Sequence, residues 1–339
     1  MKTDTLTRTP VAPAPDTARS GARRTAILVT AAIVLQVLFA LSYLWVSQGT
    51  SPHRLKIAVA APSTSAADDL VRRIGGPTSQ SLDPVLMVDG ARAVQAVRNR
   101  SVQAAFIAGS GTADELVVAS AAGQAQSVLL ATRFQSFEKS QKRTLTVRDA
   151  VPLPREDRRG VASSYLTLAA MLGGLLGAFL PVRVGRRSGL RRLGIFAAYA
   201  VLSATAVVLG SRAALGAVRG HEVQAVASLA LVCFATIAVV TLLHELFGRL
   251  GPVVGVALFV AVGSPATGEA VATAFQPAPY RLVGGYLIDG AGADLLRNLT
   301  YFEGHATTRP LVVLLAWALV GVAGTAVVAG RTGSLPWRR

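Results

Sequence analysis

The chain has 339 residues, 52% of them hydrophobic and 15% charged, with a mean hydropathy of +0.48. That balance is too apolar for a soluble chain of this length. The net charge of +16 comes from arginines spread along the chain, and no helix-turn-helix, zinc finger or aromatic-interleaved basic patch accompanies them, so a nucleic-acid partner is excluded.

Residues 1–24 are expected to form a disordered basic cytoplasmic tail, since its first twenty positions, rich in Thr, Pro, Ala and Ser without periodicity, cannot bury a core. Residues 25–46 then form an apolar span, charge-free for about 20 residues, the length that crosses a hydrocarbon core about 30 Å thick. The run is too long for a secretory signal, and no small-residue cleavage site follows Trp45, so it reads as an uncleaved anchor. Arg19, Arg23 and Arg24 place its start in the cytoplasm.

Residues 47–160 are mostly polar and read as a small extracytoplasmic α/β domain. Strands are expected at 55–61, 85–88, 102–108, 116–119 and 144–147. Helices are expected at 66–74, with Ser65 as N-cap, at 91–100 and at 124–139. Strands alternating with helices of this length imply a partly parallel sheet.

Residues 161–330 read as a five-helix bundle with spans at 161–182, 193–211, 223–247, 252–264 and 309–330, followed by a cytoplasmic tail at 331–339. The linker 183–192 carries Arg183, Arg186, Arg187, Arg191 and Arg192, a concentrated cytoplasmic signal. Both termini then lie in the cytoplasm, six crossings alternate, and 47–160 falls outside. The segment 265–308 is too polar for a plain span and too apolar for a plain loop, and Pro277, Pro279 and Gly284-Gly285 break it. It is either a re-entrant hairpin shielded by protein or a surface loop with two amphipathic helices. The expected fold is thus an α-helical polytopic membrane protein with six transmembrane helices. An α/β domain lies between the first and second, and a re-entrant segment precedes the sixth.

Catalytic motifs are missing. There is no G-x-x-x-x-G-K-[ST] and no G-x-S-x-G, and His244-Glu245 lacks the second histidine of a zinc protease because Gly248 occupies that position. His53, His221 and His305 make no metal spacing, and Cys233, the only cysteine, reads as a packed small hydrophobe. No cofactor and no enzymatic activity are expected. Gln36, mid-way along the first span, suits an inter-helix hydrogen bond, and Gly173-x-x-x-Gly177 and Gly251-x-x-x-Gly255 suit close helix contact. Charges inside an apolar segment are costly, so Glu269, Arg281, Asp289, Asp294 and Arg297 attract attention. Glu269, Arg281, Asp289 and Arg297 are the candidate substrate residues at an outer mouth, unless they form a solvated rim.

Three stretches carry a family resemblance. They are Asp149-Ala150-Val151-Pro152-Leu153-Pro154 with Asp157 and Gly160, then Ser264-Pro265-Ala266-Thr267-Gly268, and Leu296-Arg297-Asn298-Leu299-Thr300-Tyr301-Phe302. With the span layout, they make the chain after about residue 25 resemble the ABC-2-type transporter permease superfamily. The likeness is closest to the actinobacterial branch related to phage-infection-protein-like membrane proteins. The resemblance implies a dimeric permease of a bacterial cell membrane, as a homodimer or a heterodimer with a related permease, that borrows ATP hydrolysis from a separate P-loop ATPase subunit. It also implies that the cytoplasmic loop after the second span touches that ATPase, which here assigns Arg186, Arg187, Arg191 and Arg192. The other reading of these arginines is topology and contact with anionic lipid of the bilayer. Two functions follow: an export permease, or a non-transporting receptor or envelope scaffold that uses its external domain.

Overall fold

A computed structural model of the chain describes residues 15–48, 54–74, 81–179, 189–216, 218–268 and 273–332. The first helix, α1 (Pro15–Ser47), leads into an α/β domain built from β1 (Leu55–Ala60), α2 (Thr64–Ile74), β2 (Leu82–Leu86), α3 (Gly90–Arg98), β3 (Ala104–Ile107), β4 (Ala113–Val118), α4 (Gln124–Ser140) and β5 (Thr144–Asp149). The strands form one sheet in the order β2-β1-β3-β4-β5. β1 pairs in parallel with β2 and β3, β4 with β5, and only the β3–β4 hairpin is antiparallel.

Side-chain alternation along β1 explains why helices cover both faces. Leu55, Ile57 and Val59 point to one side and meet Leu130 and Phe134 of α4 and Ile74 of α2. Ala58 and Ala60 point to the other and leave room for Ala93, Ala96 and Val97 of α3 to lie close. Every expected strand and helix of the domain is present, with ends shifted by a few residues. β2 begins three residues early because it is an edge strand. Pro84, opposite Ile57, is tolerated there because an edge need not donate on both sides. The cap of α2 also moves: Ser63 Oγ, not Ser65, accepts the Ala66 N–H at 3.3 Å. In α3, Asp89 caps by accepting the Arg92 N–H at 2.7 Å.

Beyond the domain come α5 (Ala162–Gly177), α6 (Gly189–Leu215), α7 (Glu222–Phe247), α8 (Gly251–Ala266), α9 (Ala278–Val283), α10 (Ile288–Tyr301) and α11 (Thr308–Thr332). Four helical segments are long and apolar enough to cross a membrane: Thr25–Ser47, Gly189–Leu215, Glu222–Phe247 and Thr308–Gly330. The chain is therefore a membrane protein by helix length and composition. The spans expected at 161–182 and 252–264 correspond to the shorter apolar helices α5 and α8. The 16 residues of α5 reach about 24 Å, and positions 180–182 of that expected span lie outside the described residues. α8 opens with Pro252 in its first turn and widens to a π-helix over Ala257–Gly263.

The centre of the bundle is α7, whose apolar window is 67% buried. α5, α6, α10 and α11 all pack on it. Close approach rests on small residues, as expected for Gly173-x-x-x-Gly177. A Cβ on Gly174 would lie 2.7 Å from the Cys233 carbonyl oxygen and 2.7 Å from Thr236 Cβ, and one on Gly177 would strike the Tyr199 ring. Cys233 is buried with Phe196, Ala200 and Ile237, the packing role expected of it. Gln36 makes no such inter-helix hydrogen bond among the described residues. It is exposed, as is most of α1, which the bundle holds near its end, where Ser42 and Tyr280 share a 2.6 Å hydrogen bond and Trp45 meets the Tyr280 ring edge-on.

Candidate functional site

The three stretches that carry the family resemblance meet at one seam, where the α/β domain sits on the end of the bundle. Phe302, just past α10, is 2% exposed and inserts into the alanine-lined face of the sheet beside Leu153 and Val151. Tyr301 donates its hydroxyl hydrogen to Asp157 Oδ2 at 2.8 Å, and Asp157 also accepts the Val161 and Ala162 N–H groups at 2.9 and 3.2 Å, capping α5. From the domain side Arg100, at φ +58°, reaches α10. Its guanidinium donates to Asn298 Oδ1, lies 3.4 Å from Asp294 Oδ1, and stands over the Phe302 ring at 5.2 Å.

Two large cavities flank this seam. One, of about 660 Å³, lies between the α3 end, the 150–162 linker, the α6–α7 connection and the 300–305 turn; its walls mix Arg98 and Arg219 with Glu156 and Glu303. His221 and His305 also reach it, but among the described residues no group of three His, Cys, Asp or Glu side chains is placed to hold a metal ion. The other, of about 630 Å³, is one-sided in charge. Arg54, Arg100, Arg159, Arg281, Arg297 and Arg309 line it, and among the described residues Asp294 is its single carboxylate. Asp294 is already shared, 3.4 Å from Arg100 and 3.6 Å from Arg297.

Each arginine comes from a different piece of chain. Arg54 precedes β1, Arg100 follows α3, Arg159 precedes α5, and Arg281 ends α9, where its Nη1 donates to the Gln276 carbonyl at 3.4 Å. Arg297 projects from α10 and is 9% exposed, with an Nε–H that has no acceptor among the described residues. Arg309 opens α11 and stands over the Tyr286 ring at 4.7 Å. The remaining wall is the first turn of α4, Gln124 to Gln126, whose N-cap Gly123 offers no side chain to its N–H groups.

Of the sequence candidates, Arg281 and Arg297 therefore share a cavity. Asp289 does not join them. It is 1% exposed at the start of α10, accepts from Ser264 Oγ at 2.7 Å, and borders a separate space of about 230 Å³ with Tyr43, Ser164 and Tyr165. Its burial, and that of Arg297, differ from a solvated rim. Glu269, Arg186 and Arg187 lie outside the described residues. Arg191 is exposed at the start of α6, and Arg192 beside it lies 3.9 Å from Glu245 and over the Phe196 ring at 5.5 Å. Arg54, Arg100, Arg159 and Arg309 were not singled out in the sequence. Their only signal was the arginine excess itself, because they are separated by up to 255 positions (54 to 309) and converge only through the fold.

The fold and seam define a helical membrane protein with an α/β domain clamped to one end of its bundle. The chain matches no family model, no curated protein and no solved structure.

Proposed function

We propose that the chain is the permease subunit of an ABC-2-type exporter. It would cross the membrane six times with both termini in the cytoplasm, carry residues 47–160 outside, and take its energy from a separate P-loop ATPase. The observation that carries this reading is the path of residues 273–301. The Tyr286 carbonyl accepts the Trp317 indole N–H at 2.7 Å, well inside α11. α10 then passes so close to α5 and α7 that a Cβ on Gly292 would lie 2.6 Å from Thr167 Cγ2 and from Val232 Cγ2. A broken segment that packs among apolar helices has its free backbone groups covered by protein, which is what a re-entrant hairpin requires. The short helices α5 and α8 supply the second and fifth crossings in this reading.

Purification of the tagged chain from native membranes tests it directly. Recovery of a P-loop ATPase in stoichiometric amount is expected, and charge reversal at Arg186, Arg187, Arg191 and Arg192 should release it. A membrane extract that yields no ATPase would sink the exporter reading.

The seam favours a second reading. A large basic cavity roofed by the α/β domain also suits a non-transporting receptor or envelope scaffold that binds its ligand or partner through that domain. Deletion of residues 52–155 with the spans retained separates the two: an unchanged phenotype removes the receptor.

A further inference from the structure

We propose that the cavity between the α/β domain and the bundle binds a phosphate-bearing headgroup, free or lipid-borne, through its arginines and the first turn of α4. The inference goes beyond both functional readings and holds for either.

Charge is the first argument. Six guanidinium groups share one wall system with a single carboxylate among the described residues. Like charges held this close repel, and a guanidinium withdrawn from water needs an anionic partner. Arg297 is the sharpest case. It is 9% exposed, its ionic partner Asp294 is divided with Arg100, and its Nε–H has no acceptor among the described residues. An anion bearing more than one negative charge supplies what the protein lacks there.

Geometry supports phosphate in particular. Guanidinium forks match the paired oxygens of a phosphate and bind them bidentately. The lining also includes the first turn of a 17-residue helix without a side-chain cap, where free N–H groups and the helix dipole favour negative charge. Both features face the same space, although α4 and α10 are distant in sequence. A volume of about 630 Å³ is far larger than a simple halide needs and lies in the range of small-molecule sites. Gln124, Gln126 and Thr267 add neutral polar groups suited to glycerol or sugar hydroxyls. The described lining contains no aromatic ring, which argues against a nucleobase, since bases are held by stacking.

Position adds one more argument. Arg309 is the second residue of the apolar segment Thr308–Gly330, and Arg159 precedes α5 by three residues. The cavity therefore sits where apolar helices begin, the depth at which phospholipid headgroups lie.

The test uses the full chain in nanodiscs, with two arms. In neutral phosphatidylcholine discs, inorganic pyrophosphate is titrated and binding is followed by calorimetry. In the second, about a fifth of the lipid is phosphatidic acid, and retained phosphatidic acid is quantified by native mass spectrometry against phosphatidylglycerol. Saturable binding in the first arm identifies a free ligand; selective retention in the second identifies a lipid. Arg297→Gln should weaken whichever occurs by about tenfold or more, since a charge-assisted contact is lost. Because that residue is buried, the double variant of exposed Arg159→Gln and half-buried Arg281→Gln is tested in parallel, with Arg281→Lys expected to retain part of the binding and Arg72→Gln on α2 expected to change nothing. Failure of the folded wild-type protein to bind either probe, or unaltered binding in the Arg159→Gln/Arg281→Gln protein, overturns the proposal. Failure to recover an ATPase would remove the exporter reading and leave this one standing.

Discussion

Tyr301 donates a hydrogen bond to Asp157 across the seam at 2.8 Å, and the same carboxylate caps α5. One side chain thus joins the end of α10, the start of α5 and the linker from the α/β domain. Tyr301→Phe removes one donor and keeps the cap, so it should cost about 1 kcal/mol. Asp157→Ala removes the cap and leaves the part-buried Tyr301 hydroxyl without its acceptor, and should cost about 2–4 kcal/mol. Hydrogen exchange over residues 157–165 checks this: protection should fall slightly in the first protein and collapse in the second.

The α/β domain carries a pH-dependent element away from the seam. Asp114 and Glu138 are both buried, and Arg143 grips Asp114 through Nε at 2.5 Å and Nη2 at 2.6 Å while lying 3.6 Å from Glu138. Burial, and then the neighbouring Asp114, push the Glu138 carboxyl up to about 7. Burial acts on Asp114 in the same sense, but hydrogen bonds from Arg143, Glu138 and the Gly109 N–H outweigh it and hold that carboxyl low. Folded Glu138 therefore keeps its proton where the unfolded chain would lose it. Its contribution to stability is full below the ordinary glutamate pKa of 4.5 and is lost as pH rises through about 7. Melting of the domain signal should fall between about pH 4.5 and about pH 7 and level off above that, and Glu138→Gln should flatten that slope. An unchanged slope in the variant would assign the dependence elsewhere.

Asp289 and Ser264 join α10 to α8 in the interior of the bundle. Ser264→Ala removes a donor to a buried carboxylate, and a loss of about 1.5–3 kcal/mol is expected. Asp289→Asn keeps the shape and can still accept from Ser264, so it should be tolerated better. Thermal unfolding of the two proteins in the same detergent ranks them.

Helix contacts give the fourth test. Gly174→Ala should lower stability by about 1–3 kcal/mol, because the added Cβ meets the Cys233 carbonyl, which is backbone and cannot turn aside. Gly210, also helical, has open space where a Cβ would go, so Gly210→Ala should be neutral or gain up to about 1 kcal/mol. Equal effects at both sites would contradict the packing of α5 on α7.

By itself the sequence determined the parts. Long charge-free runs marked the four long apolar helices, since crossing length and composition are local properties. The apolar run at 55–61 marked a strand, and the structure showed both of its faces covered. Small residues at Gly173 and Gly177 marked close helix contact. What only the tertiary structure decided is which charges share a space. Asp289 and Arg297 lie two turns apart on one helix, and so looked like one cluster, yet they border different cavities because about 12 Å of helix length separates them. Arg54, Arg100, Arg159 and Arg309 showed no local pattern, because a charge near a span reads as topology wherever it stands. Their convergence depends on the domain docking through Phe302, Tyr301 and Arg100, long-range contacts that no window of sequence contains.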